Sequence, residues 1–221
     1  FSEVSQSYDL MNDFMSFGSH RLWKKILIEK MNIQNNEMII DVGSGTGDLI
    51  KLIVEQNVKT KIYCVDLNPK MLMQAKKDLK KEEYSDINFL VANAENLPFK
   101  KNFFDKYVIS FCLRNVTNIE KALSEAYRIL KPGGKFYCLE FSVPNSAIVN
   151  NIYSKYKNEF IPFLGKIIAN NKNAYQYLSE SINQFPNQYN LKKEIEEKGF
   201  EHVDFLNLFD GIVSIHTAHK I

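Results

Sequence analysis

"VGSGTGDLI", residues 42–50, sits between a short apolar run and a helical pattern. Gly43, Gly45 and Gly47 alternate with Ser44 and Thr46. Upstream, "MIIDV" (38–42) is an apolar stretch with an acid near its end, as strands buried on both faces read. Parallel sheets take ligands at the carboxyl ends of their strands, near the point where strand order reverses. Bare glycines there let a ligand approach the backbone, and a following helix presents N–H groups. The loop therefore predicts an α/β domain with a binding site at the tip of strand one.

Strands and helices alternate outward from this loop. Residues 47–56 read as a helix, "KIYCVD" (61–66) as a second strand, and Asn68-Pro69 as the cap and first position of the next helix. "INFLVA" (87–92) and "FFDKYVIS" (103–110) are strands three and four. Thr117-Asn118-Ile119-Glu120 reads as a capping box. The helix behind it keeps Ile119, Ala122, Leu123, Ala126, Tyr127 and Leu130 on one face, and Pro132-Gly133-Gly134 is expected to stop it. "KFYCLEF" (135–141) is strand five. Residues 145–188, rich in aromatic and aliphatic side chains, break the rhythm as an expected helical insertion. "LKKEIEEKG" (191–199) is a helix, and "HVDFLNL" and "IVSIHTAHK" form a strand pair around Asp210-Gly211.

The expected organisation is one domain over 1–221. Helices on the substrate side occupy 1–36, a cofactor-binding core 37–144, the insertion 145–188, and a helix with two strands 189–221. A chain of 221 residues suits one α/β domain. With 45% hydrophobic and 24% charged residues it has a globular composition. A net charge of +2 gives no basic field for nucleic acid, and lysine runs such as 76–81 read as a solvated helix face. Cys64, Cys112 and Cys138 lack metal-ligand spacing and point to a reducing compartment. No apolar run is long enough to span a bilayer. The start at Phe1 is read as the trace of an upstream trimming, such as removal of a targeting peptide.

The loop spacing separates ligand classes. A dinucleotide fingerprint G-x-G-x-x-G would put its third glycine at position 48, which is Asp. Nothing near strand five looks like a hydride-transfer Tyr-x-x-x-Lys pair. The observed G-x-G-x-G, preceded by Asp41, resembles the cofactor loop of class I methyltransferases that use S-adenosylmethionine. An acid there suits a cationic amino group and repels pyrophosphate. Asp66, ending strand two, suits ribose hydroxyls; capping of the next helix is its structural alternative. Asn93 and Ala94, after strand three, lie where such enzymes contact adenine.

"YDLMNDFMSFGSHRLW" (8–23) resembles the signature of the ubiquinone/menaquinone biosynthesis C-methyltransferases through Tyr8, Asp9, Met11, Asn12, Met15, Ser16, His20 and Trp23. "RILKPGGKFYCLEFS" (128–142) resembles a second signature, with Ile129 where Val is usual. "FCLRNV" (111–116) is similar to that family's Phe-Gly-Leu-Arg-Asn-Val, with Cys112 in place of Gly. The likeness covers essentially the whole chain, though "HTAHK" departs from the usual ending.

The resemblance implies a Rossmann-like class I methyltransferase, a mostly parallel seven-stranded sheet with helices on both faces and a helical insertion after strand five. It implies methyl transfer to a ring carbon of a polyprenylated benzoquinol in ubiquinone biosynthesis. Demethylmenaquinol methylation, another N- or O-methyltransferase, and a non-catalytic scaffold are the alternatives. S-adenosyl-L-methionine would be held by Asp41, Gly43, Gly45, Thr46, Asp66, Leu67, Asn93, Ala94 and Ser110. Tyr8, Arg114, Asn115 and His20 are the candidate catalytic residues, with no metal. Arg114 would stabilise a phenolate as a fixed cation, since guanidinium is too weak an acid to serve as base. A loop-anchoring ion pair is its structural alternative, packing beside Trp23 that of His20. His216 reads as structural. Expected partners are the quinol, a homodimer mate, a quinone-biosynthesis complex and a peripheral membrane contact. The expected location is the matrix side of the mitochondrial inner membrane, with bacterial cytoplasm as the alternative.

Overall fold

A computed structural model describes residues 16, 18–79, 86–156 and 172–221. Its seven strands form one sheet: β1 Met38–Val42, β2 Lys61–Asp66, β3 Ile87–Val91, β4 Phe104–Ser110, β5 Leu130–Phe141, β6 Glu201–Leu208 and β7 Val213–His219. The order is β3-β2-β1-β4-β5-β7-β6. The first five strands are parallel, and β7 runs antiparallel to both β5 and β6. Strand order reverses between β1 and β4, so the crevice expected for a ligand opens at the tips of these two strands.

Among the described residues the helices are α1 His20–Met31, α2 Asp48–Val54, α3 Pro69–Asp78, α4 Ile119–Ile129, α5 Ala147–Lys155, α6 Lys172–Gln184 and α7 Gln188–Glu197. Alternation along β1 assigns its side chains to two layers. Ile39 joins a core with Trp23, Leu27 and Met31 of α1, Leu49, Ile50 and Ile53 of α2, and Leu72 and Ala75 of α3. Ile40 and Val42 join Ala122, Leu123 and Ala126 of α4 and Leu191 and Ile195 of α7 on the other face. Asp41 shares its face with Ile39, and therefore points toward α1 and α2.

Two local expectations change. The cap of α4 is Asn118, whose side chain accepts from Lys121 N, while Thr117 N donates to Glu95 instead. The helix also ends at Ile129, before Pro132-Gly133-Gly134. Leu130 turns extended and pairs with Phe104, so those three residues lie inside β5 beside an irregularity in the β4–β5 register. They anchor the end of the chain: Gly133 N donates to Lys220 O and Lys220 N to Gly134 O. The strand pair forms as expected, around a turn at Phe209–Gly211.

Candidate functional site

The glycine loop is pulled against the tip of β2. Gly43 N and Ser44 N both donate to Val65 O, and Gly45 N donates to Asp66 Oδ2 at 2.9 Å. Gly43 has φ 72°, and a Cβ built on it overlaps the Cys112 side chain. Glycine is required there twice over, by conformation and by space. At Gly45, φ 55°, a Cβ meets only the Met71 methyl at 3.8 Å. That face of the loop is open to a ligand.

Around the loop lies a narrow cleft lined by Asp41, Gly43, Gly45, Thr46, Ser110 and Phe111, with Lys24, Ser44 and Asp48 beside them. Its polar groups are unusual. Both Asp41 oxygens, Ser44 Oγ and Ser110 Oγ are buried without a hydrogen-bond partner. Buried polar atoms in native proteins are nearly always paired, so each of these needs an explanation. Burial pushes the Asp41 carboxyl up to about 7, with the Lys24 ammonium opposing and Asp66 and Asp48 reinforcing the rise. Asp48 goes the other way: although burial opposes it, the Lys24 ammonium 2.9 Å away, helped by Lys51, holds its carboxyl below the ordinary value.

At the next strand tip Asp66 accepts from Asn68 N at 2.8 Å through Oδ1, alongside the Gly45 bond. Asn68 itself caps α3. Asp66 therefore ties the loop to the start of α3 and keeps lone pairs for further donors; burial raises its carboxyl despite those bonds. Leu67 is 67% exposed beside it. After β3, Asn93 Oδ1 accepts from Glu95 N, and Ala94 is buried. Asp41, Gly43, Gly45, Thr46 and Ser110 thus meet in one cleft, with Asp66 and Leu67 at the adjoining tip.

Arg114 and Asn115 occupy a different place. They sit in a single 3-10 turn, Leu113–Asn115, just past β4. Arg114 is buried, and its Nη1 donates to Glu140 Oε1 at 2.8 Å and to Phe111 O at 2.7 Å. Glu140 is fully buried at the end of β5 and also accepts from Arg114 N and Phe141 N. Burial raises its carboxyl, against the pull of Arg114. The arginine thus forms a buried ion pair that locks the tips of β4 and β5 together. Phe111, at the hinge between cleft and turn, has φ 52°, a strained value for a bulky side chain. Arg114 and Asn115 open onto a groove of about 740 Å³, shared with Val116, Tyr177, Ser181 and Phe185. Tyr177 Oη donates to Asn115 Oδ1 at 3.4 Å. Glu120, Glu180, Glu194 and Glu197 also line it, so the groove is acidic.

His20 is buried, with Nδ1 3.2 Å from Ser16 Oγ, one turn from Trp23. It does not line the cleft or the groove. Trp23 meets Phe111 at a tilt and Phe141 and Phe209 edge-on. His216 is fully buried with Nε2 2.9 Å from Gln188 O, a structural position. Tyr8 and most of the motif at 8–23 lie outside the described residues. Sequence reasoning passed over Lys24, Ser44, Asp48 and Glu140. Glu140 stands in the quoted stretch 128–142, but its partner is 26 residues upstream.

The reversing parallel sheet, its glycine loop and the unpartnered acid beneath it define a Rossmann-like methyltransferase. Solved structures of that class share the fold. A SAM-dependent methyltransferase from Aquifex aeolicus superposes with TM-score 0.65 at 13% identity, covering 90% of this chain and 89% of that one. A Haemonchus contortus phosphoethanolamine N-methyltransferase 2 in complex with S-adenosyl-L-methionine gives TM-score 0.67 at 16% identity, over 89% and 52% of the two chains. Residues 1–220 match the ubiE/COQ5 methyltransferase family, and the chain belongs to it. It is 50% identical over 227 residues to the ubiquinone/menaquinone biosynthesis C-methyltransferase UbiE of Rickettsia prowazekii (strain Madrid E), covering all of this chain and 91% of that one. It is 42% identical over 240 residues to the mitochondrial 2-methoxy-6-polyprenyl-1,4-benzoquinol methylase of Oryza sativa subsp. japonica, covering all of this chain and 82% of that one.

Proposed function

We propose that this chain is an S-adenosylmethionine-dependent C-methyltransferase acting on the ring of a polyprenylated benzoquinol. The observation that carries the reading is the set of unpartnered buried groups, Asp41, Ser44 and Ser110, gathered under the glycine loop. They fit the cofactor: one acid for an ammonium, two hydroxyls and open backbone at Gly45 for its polar end, and Asp66 with Leu67 for a ribose and an apolar ring. When bound, S-adenosylmethionine supplies an electrophilic methyl group on sulfur. Asn93 and Ala94 complete the adenine side in this reading.

The chain's remaining task is to make a ring carbon nucleophilic. Arg114 does this as a fixed positive group facing the quinol hydroxyl, its orientation set by Glu140 and Phe111 O. The ion pair removes part of its charge, so the stabilisation is that of an oriented dipole more than of a bare cation. Asn115, held by Tyr177, orients the group or water that takes the proton. In this reading Tyr8 acts from the substrate-side segment, and His20 helps position that segment from its buried place beside Ser16. Ile148 and Ile152, both exposed one turn apart on α5, support a peripheral membrane contact. The mitochondrial matrix side is our reading of the compartment; the rice relative's name supports the mitochondrion. The bacterial cytoplasm is the alternative, supported by the Rickettsia relatives.

The test is transfer of labelled methyl from the cofactor to demethylated benzoquinol and naphthoquinol acceptors. Label on ring carbon is expected; label on oxygen or nitrogen overturns the reading. Arg114→Ala alone would strand a buried carboxylate, so the informative variant is Arg114→Met with Glu140→Gln. Its turnover is expected to fall roughly 100-fold or more with cofactor affinity retained.

A further inference from the structure

We infer that Lys24 of α1 binds the α-carboxylate of the cofactor's methionine end while Asp41 receives its ammonium; this rests on the S-adenosylmethionine reading above. The methionine end is a zwitterion, and the acids of the cleft account for half of it. Asp41 offers an unpartnered buried carboxylate for the positive group. The negative group needs a cation in the same cleft. Among the described residues lining that cleft, Lys24 is the sole lysine or arginine.

Its placement follows from packing. Trp23, Leu27, Ile28 and Met31 fix one face of α1 against the sheet, which sets Lys24 over the glycine loop and the face of β1 that carries Asp41. The Lys24 side chain is 11% exposed, so its charge acts in a poorly solvated place where pairing is strong. Nζ lies 2.9 Å from Asp48 Oδ2. That contact positions the ammonium without exhausting it, because an ammonium has three donors and a single bond to Asp48 leaves two. Asp48 in turn has Lys51 Nζ 3.9 Å from its other oxygen, and so is not left alone if Lys24 swings toward a ligand. Lys24 and Asp41 thus present opposite charges on one side of the loop, the arrangement an amino-acid zwitterion requires. Ser44 and Ser110 hydroxyls, buried and unpartnered beside them, supply the remaining donors.

The experiment measures equilibrium binding by calorimetry for two ligands, S-adenosylmethionine and its decarboxylated analogue, which keeps the ammonium and sulfonium but lacks the carboxylate. Wild-type protein is expected to prefer the intact cofactor by roughly 10- to 100-fold. Lys24→Met should lose that factor for the intact cofactor and bind both ligands alike. Lys24→Arg should recover part of the preference. Lys24→Gln, which keeps a hydrogen bond to Asp48, serves if Lys24→Met fails to fold, and should lose the preference as Lys24→Met does. If Lys24 variants weaken both ligands equally, the residue only braces α1 and the inference falls. It falls also if wild type does not distinguish the ligands, although the cofactor reading survives that result. Failure of wild type to bind either ligand overturns the cofactor reading itself.

Discussion

The two ends of the sheet treat their polar groups in opposite ways. At the amino end Asp105, Lys106 and Lys220 each have a protein partner. Asp105 accepts from Met38 N at 2.8 Å and from Lys131 Nζ at 2.7 Å, and Lys106 pairs with Glu37. Lys220 Nζ donates to Asn102 Oδ1, Tyr127 O and Leu130 O, all within 2.8 Å. At the carboxyl end Asp41, Ser44 and Ser110 are buried with none. A buried polar group left unpaired destabilises a fold by about 1–3 kcal/mol, more if charged. The amino end is therefore scaffold, and the glycine-loop part of the carboxyl end carries a deficit that a bound ligand would relieve.

The sharpest way to break this contrast is to cut one group at each end. Asp41→Ala should weaken S-adenosylmethionine binding by about 2–5 kcal/mol, the usual loss when one partner of a buried charge contact is removed. Its effect on unliganded stability should be small or favourable, because an unpartnered acid is gone. Lys220→Met should do the reverse, costing about 1–3 kcal/mol in urea unfolding with cofactor affinity unchanged. Calorimetry and denaturation on the same two variants decide it. Equal losses in both assays for both variants would erase the distinction between the ends.

A second break concerns the loop itself. Gly43→Ala should destabilise through two separable causes: roughly 1–2 kcal/mol for the left-handed backbone and roughly 1–3 kcal/mol for the overlap with Cys112. Cys112→Gly in the same chain should restore the second part only. The coupling in the double-mutant cycle reads the contact directly. The Cys112 thiol is no nucleophile here, since burial pushes it up to about 12. Its place is under the loop, where the family sequence usually has glycine. No coupling between the two sites would mean that the loop moves away from Cys112.

These variants also mark where the sequence was transparent. The buried parallel strands, the reversal and the glycine loop were legible because they rest on local pattern: continuous apolar runs, a cap at Asn68-Pro69, alternating glycines. Asp41 was legible for the same reason, being two residues from Gly43. The misread pieces depend on distant partners. Pro132-Gly133-Gly134 looks like a helix stop by local rule, yet Leu130 finds Phe104 and Gly133 finds Lys220, so the segment joins the sheet. Arg114 carried no sign of Glu140 in a different strand. Lys24 precedes the loop by nearly twenty residues, and only the docking of α1 brings it to Asp41.

The smallest expected effect tests the deficit by pH. In the folded, unliganded chain Asp41 takes a proton near pH 7, against 3.8 for an ordinary aspartate. The folded state therefore holds that proton more tightly than the unfolded chain. Unliganded stability from this group is present at low pH and declines as pH rises from about 4 to about 7. Ligand binding has the opposite sign, because an ammonium prefers the carboxylate. Affinity should be level above pH 7 and fall by up to about tenfold per pH unit below it, with a proton released on binding. The groups facing Asp41 are Lys24, Asp48 and Asp66; Asp48 is held ionised by Lys24, so it contributes little slope in this range. Asp41→Asn should flatten the profile while Lys24→Gln should shift its midpoint upward, since the opposing charge is removed. An affinity profile flat in wild type between pH 6 and 8 would show that Asp41 is already ionised before the ligand arrives, and the contrast between the two ends of the sheet would lose its strongest member.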